Sequence, residues 1–188
     1  MQMSGWLFLW LAVIVQRVYE LYLAKKNERW LKLKGGFEVG RKHYPMIWIT
    51  HVLFFAGILL EVLLGAQVPA WVGFPLALFL LTQVLRIWCI RSLGRYWNTK
   101  IWIVPQSSLQ MKGPYRYLRH PNYLVVMLEV LVFPLIFGAY WTALSISILN
   151  TYVLLAIRIP IEEKALLTYT SYQESMGEKK RFFPFLLR

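Results

Sequence analysis

The feature that most limits what this chain can fold into is a succession of apolar blocks, each about as long as a bilayer is thick. A helix crossing ~30 Å of hydrocarbon needs about 20 mostly apolar residues, and segments 4–24, 45–65 and 69–90 each meet that length. The last two are separated only by the turn-like Gly65-Ala66-Gln67-Val68-Pro69. The run 122–160 is too long for one crossing, and Gly138-Ala139-Tyr140-Trp141 near its centre divides it into a hairpin of helices over 122–138 and 141–160. Lipid offers no hydrogen bonds to the backbone, so such blocks are helical. The expected fold is an all-α integral membrane protein of about five transmembrane helices, a single domain over 1–188 in which 91–121 and 161–188 are the polar segments. Composition agrees, with 58% hydrophobic residues and 16% charged, against roughly 25% charged in a soluble domain. The first block has neither a basic stretch before it nor a small-residue cleavage site after it, so it is expected to stay as a span.

Charge placement then orients the bundle. Lys25, Lys26, Arg29, Lys32, Lys34, Arg41 and Lys42 fall in 25–44, Arg91, Arg95, Lys100, Lys112, Arg116 and Arg119 in 91–121, and five more cations between Lys164 and Arg188. The loops 65–69 and 138–141 carry none. Lys and Arg collect in cytoplasmic loops, so with five spans the N-terminus faces out and every basic segment faces the cytoplasm of what is expected to be a bacterial cell membrane. The net charge of +12 then reflects orientation and attraction to anionic membrane lipid. Nucleic acid is not an expected partner, because the cations are split among segments flanked by spans. The single Cys89 and the scattered His43, His51 and His120 have no recognisable metal-ligand spacing.

Ionisable groups within a bilayer are costly and call for a partner or a purpose. Arg17 and Glu20, three apart, can pair along one helix face. Glu61 is placed to reach water at the outer end of its span. Glu129 follows Asn122 by two turns on one face; it is either a buried carboxyl bonded to a neighbouring helix or part of an acceptor pocket. Arg158 and Glu162 are spaced i,i+4 around Pro160, whose missing donor is expected to kink the helix and turn Arg158 inward. His120 precedes Pro121, which steers its backbone out of the α region and suits the first turn of the next helix. Arg119-His120-Pro121 is therefore a rigid polar corner at the membrane surface.

The stretch Gly113-Pro114-Tyr115-Arg116-Tyr117-Leu118-Arg119-His120-Pro121-Asn122-Tyr123, followed about forty residues later by Arg158-x-x-x-Glu162-Glu163-x-x-Leu166, resembles the signature of the isoprenylcysteine carboxyl methyltransferase family. Leu93-Gly94-Arg95-Tyr96-Trp97 is similar to the connector of its bacterial members. The resemblance implies an integral membrane enzyme that transfers the methyl of S-adenosylmethionine to an oxygen of a lipophilic small-molecule substrate taken from the bilayer. It places the cofactor in a cytoplasmic pocket formed by the last helical hairpin and the C-terminal segment. By that resemblance Tyr115, Arg119, His120, Pro121 and Tyr123 would hold the cofactor, with Glu162 or Glu163 on its ribose hydroxyls or amino group, and Arg158 would orient the acceptor oxygen; the expected catalytic group is Arg158, Glu162 and, from its place in the span, Glu129, with Glu163 on the cofactor. Val125 departs from the small residue often found two after the motif's tyrosine, and the tail Gly177–Pro184 follows the family's ending loosely.

A carboxylate acceptor needs no base, whereas a phenol or enol must lose a proton, for which Glu129, Glu162 and His120 are the candidates. Gly35-Gly36-x-x-x-Gly40-x-x-His43-Tyr44-Pro45 and the short chain lean toward members similar to enzymes that methylate the ring hydroxyl of long-chain alkylpyrones or alkylresorcinols. Two other classes stay open on the sequence alone. One is a non-enzymatic transporter or scaffold, which should show two matching halves if built on inverted repeats; the other is a membrane reductase of related fold. No G-x-G-x-x-G follows a strand, so a soluble dinucleotide-type fold is not supported.

Overall fold

The structure, a computed structural model, describes residues 3–176 and 179–182. Of the tail that loosely follows the family's ending, Gly177, Glu178, Phe183 and Pro184 lie outside the described residues. The protein is an all-α integral membrane bundle. Among the described residues four helical stretches are long and apolar enough to cross a membrane, namely Gly5–Leu33, Arg41–Leu63, Gly73–Tyr96 and Tyr140–Tyr169, and a shorter apolar helix spans Pro121–Ile136. The elements are α1 (Met3–Leu33), α2 (Tyr44–Leu63), α3 (Gly73–Leu93), α4 (Pro121–Ile136), α5 (Tyr140–Tyr152), α6 (Ile159–Tyr169) and α7 (Tyr172–Met176), with short strands β1 (Phe37–Val39) and β2 (Ile101–Ile103).

Helix α1 does not stop where its hydrophobicity does. It continues through the basic residues 25–33 and ends only at Gly35-Gly36, because Lys, Glu and Arg are as good helix formers as Leu. At 1.5 Å per residue its 31 residues span about 46 Å, so the basic end projects well beyond the hydrocarbon. A π-helical turn over Val153–Arg158 joins α5 to α6 in one continuous rod, and Pro160, which lacks a backbone donor, follows directly after that wider turn. The extra residue in a π turn rotates the face that follows, which brings Arg158 onto the inner side.

Helices α3, α4 and α5 pack in sequence, and α2 packs on α5. The core between them is aromatic, with Phe133 centred 4.8 Å from Phe79 and 5.1 Å from Phe137. The α4–α5 hairpin turns at Gly138, where φ is +71° and a Cβ would run into the carbonyl oxygen of Gln67. Glu61, half-buried at the outer end of its span, also accepts from the backbone N–H groups of Trp141 at 3.2 Å and Thr142 at 2.6 Å. These are orphan donors of the first turn of α5, and a carboxylate there also complements the helix dipole.

At the opposite end, the connector between α3 and α4 folds back over the bundle. Strand β2 pairs antiparallel with β1, Phe37 opposite Ile103, a clasp that hydropathy does not announce. Asn27 donates to the carbonyl of Trp97 at 2.7 Å and Asn98 to that of Ala24 at 2.9 Å. These bonds fix the connector to the projecting end of α1.

Candidate functional site

A cavity of about 690 Å³ lies under the connector, bounded by α1, α2, α4, the α5–α6 rod and α7. It falls within the range of about 300–1,000 Å³ usual for ligand sites. The polar corner forms one wall. His120, the residue before α4, has φ −129° and ψ 53°, outside the α region as Pro121 requires. Upstream, Gly113 has φ +54°, and a Cβ there would collide with the Ser92 hydroxyl, so the 3-10 turn Gly113–Arg116 lies tight on α3.

Two linked clusters organise this wall. In the first, the Tyr123 hydroxyl donates to Glu162, while Arg158 donates through Nε to the Tyr123 oxygen at 2.9 Å and through Nη2 to the Thr99 carbonyl at 2.8 Å. Thr99 in turn lies 3.3 Å from the Tyr44 hydroxyl. In the second, His120 Nε2 is 3.0 Å from Glu163 Oε1, which also accepts from Arg181 Nε at 3.1 Å, and Arg181 Nη2 is 2.5 Å from Glu163 Oε2. That contact raises the Arg181 guanidinium above its ordinary value. The chain before α4 is tied to the C-terminal segment by main-chain bonds as well, Arg119 N–H to Lys180 at 3.0 Å and His120 N–H to Arg181 at 3.2 Å.

Of the residues singled out in the sequence, Tyr115, Arg119, His120, Tyr123, Arg158 and Glu162 line the cavity. Pro121 and Glu163 stand behind the wall. Pro121 is buried as the opening residue of α4, and Glu163 acts on the cavity through His120. Glu129 requires a correction. It does not line this cavity; it borders a small separate one and is held by Gln83 at 2.7 Å, by Arg86 through Nε at 2.7 Å and through Nη2, and by Arg17 at 3.1 Å. Arg17 also bonds Glu20 at 2.7 Å, the expected intrahelical pair, and Arg86 reaches Glu20 at 3.2 Å. Two guanidinium groups thus neutralise two carboxylates inside the bundle. These bonds join α4 to α1 and α3 through Glu129 and set it apart from the residues that line the large cavity.

The cavity has donors to spare for a polar ligand. Trp97 Nε1 and Tyr172 Oη are buried and reach no partner among the described residues, and both residues lie on the cavity wall. Burial raises the Tyr172 and Tyr115 phenols above their ordinary values, so both stay protonated donors at neutral pH. This donor set fits a cofactor rich in acceptor oxygens and ring nitrogens. Sequence reasoning missed His51 and Thr99, which also line the cavity. Neither belongs to a spaced motif, and only the packing of α2 and the connector brings them in.

The chain is 46% identical over 166 residues to an uncharacterized protein, YpbQ, of Bacillus subtilis, covering 86% of this chain and 98% of that one. It is 27% identical over 158 residues to an uncharacterized protein of Haemophilus influenzae, covering 82% and 90%. The model of the isoprenylcysteine carboxyl methyltransferase family matches residues 75–168, which take in α3, the connector, the polar corner and the Arg158–Glu162–Glu163 segment. The chain belongs to the isoprenylcysteine carboxyl methyltransferase family.

Proposed function

We propose that the protein is an S-adenosylmethionine-dependent O-methyltransferase acting on a lipophilic acceptor, a long-chain alkylpyrone or alkylresorcinol hydroxyl or an isoprenylcysteine-type carboxylate. The observation that carries this reading is the convergence of both family motifs on one cavity that also reaches the lipid-facing surface. Among the residues lining it, Val18 and Leu21 of α1 and Trp48, Val52 and Leu59 of α2 are all exposed apolar side chains. A polar compartment under the connector and an apolar mouth between α1 and α2 suit a water-soluble cofactor and a substrate drawn from the bilayer.

The cofactor supplies an electrophilic methyl group on a sulfonium. His120, Tyr115, Tyr172 and Trp97 would hold it from the connector side, with Glu163 and Arg181 fixing the His120 ring. Arg158, oriented by Thr99 and Tyr123, would present a positive charge to the acceptor oxygen. Burying the site excludes water and strengthens that electrostatic contact. Holding donor and acceptor in line is itself worth up to about 7–11 kcal/mol of barrier in well-oriented systems. The excess of Lys and Arg in the segments around the site supports a cytoplasmic orientation in a bacterial membrane.

The deciding experiment uses purified protein in detergent or nanodiscs. Calorimetric titration with S-adenosylmethionine should give a saturable site, and label from its methyl group should pass to a long-chain acceptor. Absence of both removes the reading.

A further inference from the structure

We propose that His51 accepts the proton of the acceptor, so that the substrate class is a lipophilic enol or phenol and not a carboxylic acid; this rests on the methyltransferase reading above. His51 lies on α2, seven residues and about two turns beyond Tyr44 on the same face, and both line the large cavity together with Tyr123 and Arg158. Its ring Nδ1 is 2.9 Å from the carbonyl oxygen of Ile47. A carbonyl can only accept, so Nδ1 carries the hydrogen, and in the neutral ring the lone pair is left on Nε2. The ring makes no further hydrogen bond among the described residues.

The carboxylates near the cavity are already engaged. Glu162 accepts from Tyr123, Glu20 from Arg17, Arg86 and Gln16, and Glu129 from Gln83 and both arginines. His120 is committed through Nε2 to Glu163 on the connector side. His51 instead sits beside Trp48 and Val52, the exposed apolar lining where a lipid acceptor enters. A helical side chain leans toward the N-terminus of its helix, in keeping with the Nδ1 bond to the Ile47 carbonyl one turn back. The charged groups facing the ring are Arg17 of α1, Arg86 of α3 and Glu129 of α4.

The step balances as follows. The acceptor O–H bond breaks and its proton passes to Nε2 of His51, while the oxygen's electron pair forms the new O–C bond to the sulfonium methyl. The S–C bonding pair stays with sulfur, and His51 later releases the proton to water. A carboxylic acid is already ionised at neutral pH and would leave His51 without a task.

The test compares wild type with His51→Gln and His51→Asn, using a long-chain alkylresorcinol and S-farnesylcysteine as the two acceptors. Wild type is expected to methylate the resorcinol in preference to the carboxylate. Both variants should bind S-adenosylmethionine as wild type does but lose about 10²-fold or more in kcat/KM, in line with positioned acid–base catalysis. The loss should shrink with a ring-fluorinated, more acidic resorcinol, a dependence that a packing role would not produce. Normal turnover by His51→Gln, an equal loss across both resorcinols, or preference for the carboxylate overturns the assignment while leaving the methyltransferase reading intact. Failure of wild type to bind S-adenosylmethionine and to methylate either acceptor removes both. If neither variant folds, the wild-type preference between the two acceptors decides, and preference for the carboxylate overturns the proposal.

Discussion

Arg158 shows how much one side chain can be asked to hold. Its guanidinium grips the Tyr123 oxygen and the Thr99 carbonyl at once, a task that depends on the planar fork and not on charge alone. Arg158→Lys is therefore expected to lower kcat/KM by about 10²-fold or more, roughly 2.7 kcal/mol, with S-adenosylmethionine affinity nearly unchanged by calorimetry. Glu129 makes the opposite forecast. Removing its charge leaves two buried guanidinium groups undercompensated, and breaking a buried pair costs about 3–5 kcal/mol. Glu129→Gln should lower the thermal midpoint in detergent and lose activity only in proportion to the folded fraction. The sequence showed both groups as intramembrane ionisable residues, and Arg17–Glu20 as a pair, because that spacing lies within one helix. It left Glu129 between two roles because its partner Arg86 comes from another helix, and helix periodicity says nothing about which faces meet.

At the scale of elements, the bundle is fastened at each end by contacts between segments distant in the chain. At the hairpin end, Glu61 of α2 caps α5, and Glu61→Ala should cost about 1 kcal/mol, the usual value of a lost cap, read as a lower thermal midpoint with S-adenosylmethionine binding retained. At the connector end, the C-terminal segment lies along 118–120, and Glu163 is its main side-chain anchor. Arg181 is largely exposed at this contact, so Arg181→Ala should cost under about 1 kcal/mol of global stability. It should nonetheless free the segment locally, seen as faster tryptic cleavage after Lys179 or Lys180 and weaker cofactor binding. Continuous helices are the other feature of this scale. The helices α1 and α5–α6 run past the apolar blocks that mark them, since hydrophobicity reports where the lipid is and backbone propensity reports where a helix can stop.

For the whole molecule, the decisive property is sidedness. Both hairpin-end loops lack Lys and Arg, whereas the connector end carries the basic segments. A cysteine introduced at Gln67 should label from outside sealed cells and one at Ser108 should be protected; Cys89 is buried and should give little background. Labelling of Ser108 from outside would move the proposed site to the wrong face. The sequence by itself determined the solvent of this protein, its all-α class, the rigid corner at His120-Pro121 and the motif pair that marks the family. Each of these depends on local chemistry: hydropathy over a bilayer's length, proline geometry, and spacing within one segment. Only the tertiary structure decided that Tyr123 meets Glu162, that Glu129 leaves the site for Arg86 and Arg17, that β1 and β2 clasp the connector, and that His51 joins the cavity. Those outcomes depend on how helices rotate and pack against each other, and the closest approach of two side chains tens of residues apart is fixed by the whole core at once.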